Sequence, residues 1–198
     1  MTGEELKFKN KWFGILIAYF LIGYYLCSFI NMTHTHFYDV SLPFESSIPF
    51  LPIFILGYMF VFIAIILIYI GLDDPSLFIR ARKFFLAVMT VHFIIFLLVP
   101  VRMACPDLSE ATGIMNFLTY LYYLIDNPVN CFPSLHVSFP LGGALILWNH
   151  NKKIAYWIAL LTAIVAISVV LVKQHYIMDV VGAIVVTGLV YKILKRRS

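Results

Sequence analysis

The sequence predicts an all-α fold, a bundle of six transmembrane helices with an interfacial helix in one long outer loop. Three observations support this prediction. Hydrophobic residues make up 62% of the 198 residues and charged residues 12%, whereas a soluble domain is about half apolar and about a quarter charged. Several apolar stretches approach the ~20 residues that a helix needs to cross a bilayer, and basic residues gather in alternate loops. The composition excludes a soluble globule and a disordered chain, and the length suits a single domain over residues 1–198.

Apolar stretches mark the expected spans. Five of them have nearly the required length, namely Trp12–Ile30, Ile48–Leu72, Phe84–Val101, Ile154–Val172 and Ile177–Leu194. Basic residues precede the first stretch, as in a signal peptide. Its apolar run is too long, however, and no small-residue cleavage site follows, so we interpret it as a retained anchor. A sixth stretch, Pro133–Asn149, is shorter and contains His136, Pro140 and two glycines. We count it as a span because the loops then sort by charge.

Basic residues decide the expected orientation, because cytoplasmic loops of membrane proteins are enriched in Lys and Arg. With six spans, 12 of the 14 basic residues lie on the side that holds both termini and the loops 73–83 and 150–153. They are Lys7, Lys9, Lys11, Arg80, Arg82, Lys83, Lys152, Lys153, Lys192, Lys195, Arg196 and Arg197. We therefore expect a protein of a bacterial inner membrane with both termini in the cytoplasm. The net charge of +4 follows from this topology and indicates no nucleic-acid partner, because no basic patch lies on a soluble surface.

The long outer loop, residues 102–132, contains its own apolar segment. Ile114–Ile125 has 12 residues, which as a helix measures about 18 Å and is too short to span a bilayer. Its tyrosines at 120, 122 and 123 suit the headgroup boundary. We expect an interfacial or re-entrant helix beside the functional site, with an ordinary packing helix as the alternative.

Two histidine-containing segments stand at the outer ends of spans. The first runs Cys-Phe-Pro-Ser-Leu-His-Val over residues 131–137, and the second runs Lys-Gln-His-Tyr-Ile-Met-Asp over residues 173–179. Between His136 and His175 the chain crosses the membrane twice, which returns it to the same face. The two histidines are therefore expected to share one site on the non-cytoplasmic face.

Local spacing indicates the chemistry of that site. His175 and Asp179 are four residues apart, so a helix places them on one side, one turn apart. The carboxylate can then accept a hydrogen bond from one ring nitrogen and leave the other nitrogen free to attack. We expect His175 to attack phosphorus and form a phosphohistidine, with His136 as the general acid and then the general base. Such covalent catalysis divides one difficult displacement into two easier ones.

An anion pocket is expected beside the histidines. Pro133 fits the first turn of a helix, so backbone amides around Ser134–His136 can bind an anion, helped by the helix dipole. The Ser134 hydroxyl adds a donor. The two basic residues on the outer side, Arg102 and Lys173, add positive charge, and Arg can bind two phosphate oxygens at once. The set fits a phosphoryl group, which makes a lipid phosphate the expected substrate and membrane lipids the expected surroundings. No metal or other cofactor is expected.

These segments resemble the type 2 phosphatidic acid phosphatase superfamily, which includes lipid phosphatases and the inositol-phosphorylceramide and sphingomyelin synthases. The family motif P-S-x-H matches residues 133–136, and H-x-x-x-D matches His175 and Asp179. The form His-Tyr-x-x-Asp-Val over residues 175–180 is most similar to the phosphotransferase-type branch. The resemblance implies a six-span enzyme with its site on the non-cytoplasmic face, in which these histidines and Asp179 are catalytic.

The sequence departs from the family in two motifs. The pattern S-R-x5-H begins with Ser168 here, but Val169 stands in place of the arginine. In K-x6-R-P, Ile95 replaces the lysine and Met103 replaces the proline beside Arg102. Lys173 is the candidate to supply the missing charge. Phosphatase and transferase activity both remain open.

Two other classes of function compete with the lipid phosphatase. A metal-dependent hydrolase could use His34, His36, His136, His175 and Asp179 as ligands, but H-E-x-x-H is absent and basic residues on the outer side repel a cation. A transporter or scaffold is the other alternative. Transporters often show repeats and broken helices near the midplane, whereas the polar residues here cluster at one membrane face, which fits an interfacial reaction better.

Four further residues receive plainer interpretations. His92 is interpreted as a hydrogen-bonded packing residue within the third span. Asp126 is interpreted as a turn or cap residue, with orientation of the motif loop as the alternative. A disulfide between Cys105 and Cys131 is permitted outside the cytoplasm and stays open.

Overall fold

The computed structural model describes residues 1–196, and every regular element within that range is helical. The α-helices are α1 (Gly3–Met32), α2 (Ile55–Tyr58), α3 (Phe60–Gly71), α4 (Pro75–Leu98), α5 (Ile114–Ile125), α6 (Leu135–Leu147), α7 (Lys152–Leu171) and α8 (Ile177–Lys195). Short 3-10 turns cover Glu45–Ser47 and Pro52–Phe54. The all-α prediction is confirmed. Arg197, predicted among the cytoplasmic basic residues, lies outside the described residues.

Five helical segments within residues 1–196 are long and apolar enough to cross a membrane: α1, the broken segment Pro52–Gly71 that joins α2 to α3, and α4, α7 and α8. Helix α6 has 13 residues, or about 20 Å, which is short for a span. The six-span count therefore stays a prediction.

Capping decides where several helices begin, and it moves them beyond the apolar stretches seen in the sequence. Helix α1 starts at Gly3 because Thr2 and Glu5 form a capping box, well before the first stretch. Helix α4 starts at Pro75 because the Asp74 carboxylate accepts a hydrogen bond from the Leu77 amide at 2.7 Å. A capped first turn tolerates polar residues, so these helices extend past the hydrophobic boundary.

Helix α6 is the centre of the bundle and packs against α3, α4, α7 and α8. Small residues allow this close approach. A Cβ atom at Gly142 would lie 2.4 Å from the Phe84 ring, and one at Gly143 would lie 2.3 Å from Ile68. The chain runs down α6 and back along α7, so the N-terminal ends of α6 and α8 meet at one end of the bundle.

Helix α5 has the bounds predicted for the helix of the long loop. The Tyr123 hydroxyl donates to the Val172 carbonyl, and the rings of Tyr58 and Tyr122 lie 4.5 Å apart. The opposite face exposes apolar side chains at helical spacing, namely Ile114, Phe117, Leu121, Leu124 and Ile125. An exposed apolar stripe suits a membrane interface, and the interfacial position of α5 stays a prediction.

Candidate active site

His175 and Asp179 form a buried pair at the start of α8. The Asp179 side chain is fully buried and its Oδ2 accepts hydrogen bonds from His175 Nδ1 at 3.1 Å and from the Tyr176 amide at 2.9 Å. His175 lies before α8, so a capping turn makes the contact rather than the helical turn expected from the spacing. Since Nδ1 donates to the carboxylate, the lone pair of His175 is on Nε2.

His136 faces this free nitrogen. Its Nδ1 lies 3.2 Å from His175 Nε2, so the structure brings together the two histidines that the topology placed on one face. His136 is the second residue of α6 and His175 immediately precedes the N-cap of α8. The meeting of these two helix ends therefore aligns the two rings.

A second carboxylate lies on the other side of His136. Its Nε2 is 2.8 Å from the Tyr58 hydroxyl and 3.4 Å from Asp126 Oδ2. The Tyr58 hydroxyl also donates to Asp126 Oδ2 at 3.0 Å, and Tyr24 donates to Asp126 Oδ1. Sequence reasoning gave Asp126 a turn or cap role and did not identify either tyrosine. One feature of the sequence could have indicated a role for Asp126: it is an acidic residue directly after an apolar helix and a few residues before the Pro-Ser-Leu-His motif.

Ser134 occupies the N-cap position of α6 and is fully buried. Its amide donates to the Asp179 carbonyl at 3.0 Å, which ties the two motifs together. Within residues 1–196 its buried hydroxyl has no hydrogen-bond partner. The first-turn amides of α6 have no acceptor within the helix, so this end can bind an anion. Pro133 precedes the N-cap, which corrects the prediction that it lies in the first turn.

The two predicted cationic residues are placed differently. Lys173 has a left-handed backbone with φ of +52°, and its Nζ donates to the Glu45 carbonyl at 3.3 Å. The guanidinium of Arg102 lies 5.8 Å from the Phe37 ring. Lys173 and His175 line one cleft, whereas Arg102 is not among the described residues that line it.

Sequence reasoning also missed Glu45, a buried acidic residue of the first outer loop. Its carboxylate accepts hydrogen bonds from the Ile177 amide at the start of α8 and from the Leu42 amide at 2.7 Å. A carboxylate at a helix N-terminus stabilises the free amides there. Glu45 therefore holds this loop against the end of α8. Nothing in the sequence around Glu45 indicates this contact, which joins residues 132 positions apart.

The histidine pair lies between two openings. A cleft of about 560 Å³ reaches His175 and Lys173 from the outer loops. A groove of about 330 Å³ begins at His136 and Asp126 and runs between α1 and α3. The groove walls are apolar and aromatic side chains, among them Phe20, Ile65, Met89 and Phe139.

The five proposed metal ligands do not assemble into one group within residues 1–196. The candidate cluster there consists of Cys131, His175 and Asp179, whose donor atoms lie within 4.8 Å of one another. Burial raises the pKa of the Cys131 thiol well above its usual value, which disfavours the thiolate that metals bind. The exposed His34 and His36 take no part in this cluster.

Cys105 and Cys131 are free thiols, so no disulfide joins them. Cys105 Sγ lies 3.2 Å from the Lys173 carbonyl, and Cys131 Sγ lies 3.2 Å from the Pro128 carbonyl. His92 is buried and hydrogen-bonded through both ring nitrogens, to the Val88 carbonyl at 2.8 Å and the Ser138 hydroxyl at 2.9 Å. These contacts match the packing role expected for His92.

A family model described as the PAP2 superfamily matches residues 53–193. The match covers more than two thirds of the chain and includes both motif segments and Arg102. Helix α1 lies outside it. No curated protein and no solved structure matches the chain significantly.

Proposed function

Because the chain belongs to the PAP2 superfamily, a membrane phosphatase-type family, we propose that it acts on a lipid phosphate or diphosphate through a phosphohistidine. One observation carries this proposal. The lone pair of the carboxylate-held His175 and the ring of His136 face each other across 3.2 Å, beside a helix end that suits an anion.

The proposed reaction has two steps. The Nε2 lone pair of His175 attacks phosphorus, the bond from phosphorus to the lipid oxygen breaks, and the leaving oxygen takes the proton of His136 Nδ1. Water or an acceptor alcohol then attacks the phosphohistidine, while His136 takes its proton and His175 leaves. Asp179 stabilises the positive charge that develops on His175 in the first step. Ser134, Lys173 and Arg102 are proposed to bind the phosphate oxygens.

The spacing of the two rings sets a condition on substrate binding. An attacking nitrogen needs about 3–3.5 Å to phosphorus, and a charge-assisted hydrogen bond from His136 to the leaving oxygen adds about 2.7–2.9 Å. The two nitrogens must therefore lie more than about 6 Å apart when a phosphoryl group is between them. Since the two nitrogens lie 3.2 Å apart, the proposed mechanism requires the rings to separate by about 3 Å as the substrate enters.

The apolar groove supports a lipid substrate. In the first step the leaving oxygen carries the lipid, and it must lie on the side of phosphorus opposite His175. That side holds His136, where the groove begins. A lipid chain in this groove places its ester oxygen next to the proposed acid, and the cleft on the His175 side, which Lys173 also lines, leaves room for the phosphate oxygens.

Purified protein incubated with a panel of lipid phosphates, with and without inositol, tests the proposal. His175→Ala and His136→Ala should each abolish release of free phosphate and formation of a new phospholipid. His34→Ala, an exposed histidine of another outer loop, is the matched control and should keep the wild-type rate. Near-normal turnover in either motif variant refutes the mechanism. Free phosphate alone indicates a phosphatase, and a new inositol phospholipid indicates a transferase of the branch that His-Tyr-x-x-Asp-Val resembles.

The same incubation tests the metal-dependent alternative. Activity that survives an excess of chelator eliminates a metal-dependent hydrolase, whereas loss that Zn²⁺ restores supports one.

The expected orientation is also part of the proposal, with the site on the non-cytoplasmic face and both termini in the cytoplasm of a bacterium. A reporter enzyme fused after the last residue and active only outside the cytoplasm should be silent. The same reporter placed in the loop near Asp107 should be active, and the reverse pattern refutes the orientation.

A further inference from the structure

We propose that Asp126 is a positioning residue for His136, and that helix α1 contributes to this function through Tyr24. The inference rests on the proposed phosphohistidine reaction. It adds a second carboxylate–imidazole pair to the site, so that Asp179 holds the attacking histidine and Asp126 holds the histidine that handles the proton.

The side chain of Asp126 is not needed to end helix α5. Its amide already closes the helix by donating to the Tyr122 carbonyl at 2.9 Å, and its carbonyl accepts a hydrogen bond from Gln174 Nε2 at 2.8 Å. The carboxylate is instead directed into the bundle, where the Asp126 side chain is 8% exposed. A buried carboxylate is costly unless its oxygens are hydrogen-bonded or paired with a cation, and here the contacts are two tyrosine hydroxyls and His136.

Counting protons shows what the carboxylate does for His136. The Tyr58 hydroxyl has one hydrogen and two neighbours that can accept it, Asp126 Oδ2 at 3.0 Å and His136 Nε2 at 2.8 Å; its third neighbour, Tyr122, has a hydroxyl hydrogen of its own. When His136 is neutral and its Nδ1 hydrogen points to His175, Tyr58 can serve only one of them. When His136 is protonated, its Nε2 hydrogen points to Tyr58, and Tyr58 donates to Asp126. Every contact is then satisfied, so the Asp126 carboxylate and the Tyr58 hydroxyl offset part of the cost of burying a charged ring and direct Nδ1–H at the reaction site.

Helix α1 completes this arrangement from outside the segment that the family model matches. Tyr24 donates to Asp126 Oδ1, and its carbonyl accepts a hydrogen bond from Asn130 Nδ2 at 2.9 Å. Two turns further along α1, Asn31 donates to Asn130 Oδ1 at 2.9 Å and to the Val129 carbonyl at 3.2 Å. The loop from Asp126 to Asn130 is thus fixed by α1, which sets the position of the carboxylate relative to His136.

A comparison of leaving groups separates this role from a purely structural one. Phosphate esters of decanol need a proton on the leaving oxygen, whereas nitrophenol leaves without one. The ratio kcat/KM covers the steps up to phosphohistidine formation. In Asp126→Asn it should fall for decyl phosphate by about 10²–10⁴-fold, the usual contribution of general acid–base catalysis. For p-nitrophenyl phosphate it should fall less than tenfold.

The pH profile gives a second readout. Activity toward decyl phosphate requires protonated His136, so it falls on the alkaline side. Loss of a negative charge 3.4 Å away should move that alkaline limb to lower pH by about 1–3 units. Asp107→Asn, an exposed carboxylate in the same loop, is the matched control and should change neither the profile nor the ratio for the two esters.

Each outcome decides the inference. Equal losses for both esters in Asp126→Asn, or wild-type values for both, refute the positioning role while His175→Ala remains inactive. If His175→Ala keeps its activity, the proposed function fails and this inference fails with it. Should Asp126→Asn not fold, Tyr58→Phe provides the test. It removes the bridging hydroxyl but keeps the ring, and should lower kcat/KM for decyl phosphate more than for p-nitrophenyl phosphate.

Discussion

Two substitutions of Lys173 can distinguish the effect of its charge on activity from the effect of its backbone conformation on stability. This residue turns the chain from α7 toward His175 with φ of +52°, a region that costs an L-residue about 1–2 kcal/mol and costs glycine almost nothing. Lys173 lines the cleft that also reaches His175, and its Nζ donates to the Glu45 carbonyl at 3.3 Å. Lys173→Gly and Lys173→Ala both remove the amine, but only the glycine variant relieves the backbone.

The expected difference in stability follows from two opposing terms. Glycine avoids the cost of about 1–2 kcal/mol that alanine pays in the left-handed region. It loses about 0.5–1 kcal/mol through the greater freedom of its unfolded chain. Lys173→Gly should therefore be more stable than Lys173→Ala by about 0.75 kcal/mol, the difference between the midpoints of the two ranges, which corresponds to about 1.5–3 °C in Tm for a chain of this size.

In contrast to their stability, the activity of the two variants should be the same, because both lack the amine. A hydrogen bond to a charged group contributes about 1.5–3 kcal/mol, so both variants should lose about 10- to 100-fold in kcat/KM toward a lipid phosphate. Thermal unfolding in one detergent and steady-state kinetics measure the two effects. Lys173→Arg keeps the charge and should retain most of the activity. Equal Tm values for the glycine and alanine variants refute the argument from the backbone, and full activity in the glycine variant removes Lys173 from the phosphate site.

Three other predictions concern packing, ring separation and the thiols. Gly182→Ala should lower Tm relative to Gly188→Ala on the same helix, because its Cβ would lie 2.6 Å from the Phe132 ring whereas Gly188 has no neighbour within 4 Å; equal Tm values would contradict this. A structure with bound vanadate should show the two facing imidazole nitrogens more than about 6 Å apart, and a separation near the present 3.2 Å argues against in-line attack. Burial raises the pKa of the Cys105 thiol to about 12, so a maleimide at neutral pH should label Cys105 and Cys131 slowly until the protein is denatured; non-reducing mass spectrometry that finds them linked would contradict the free thiols.

Much of the fold could be predicted because it depends on local properties of the chain. Apolar runs of nearly span length appear directly in the sequence, and α5 begins and ends where its apolar segment does. The first residues of the helices were harder to predict from the sequence. Gly3 and Pro75 open helices well before the apolar runs, because caps such as Thr2 and Asp74 satisfy the free amides of polar first turns.

The site was predictable only in part, because only some of its contacts depend on local properties of the chain. His175 and Asp179 are close in sequence, and two crossings return the chain to His136, so these three residues could be grouped without a structure. Their contact geometry differed from expectation, since a capping turn rather than a helical turn joins His175 to Asp179. Only the packing of the chain shows that Lys173, and not Arg102, lines the cleft that reaches His175.

The sequence by itself determined the all-α membrane class, the family motifs and the pair of histidines, because composition, periodicity and short spacings are properties of neighbouring residues. Only the tertiary structure showed the second carboxylate of the site and the residues that hold it. Asp126 meets Tyr58 across 68 residues and Tyr24 across 102 residues of chain. Such contacts follow from how α1, α2 and α5 pack around the end of α6, and helix packing is not encoded in any local pattern of the residues involved.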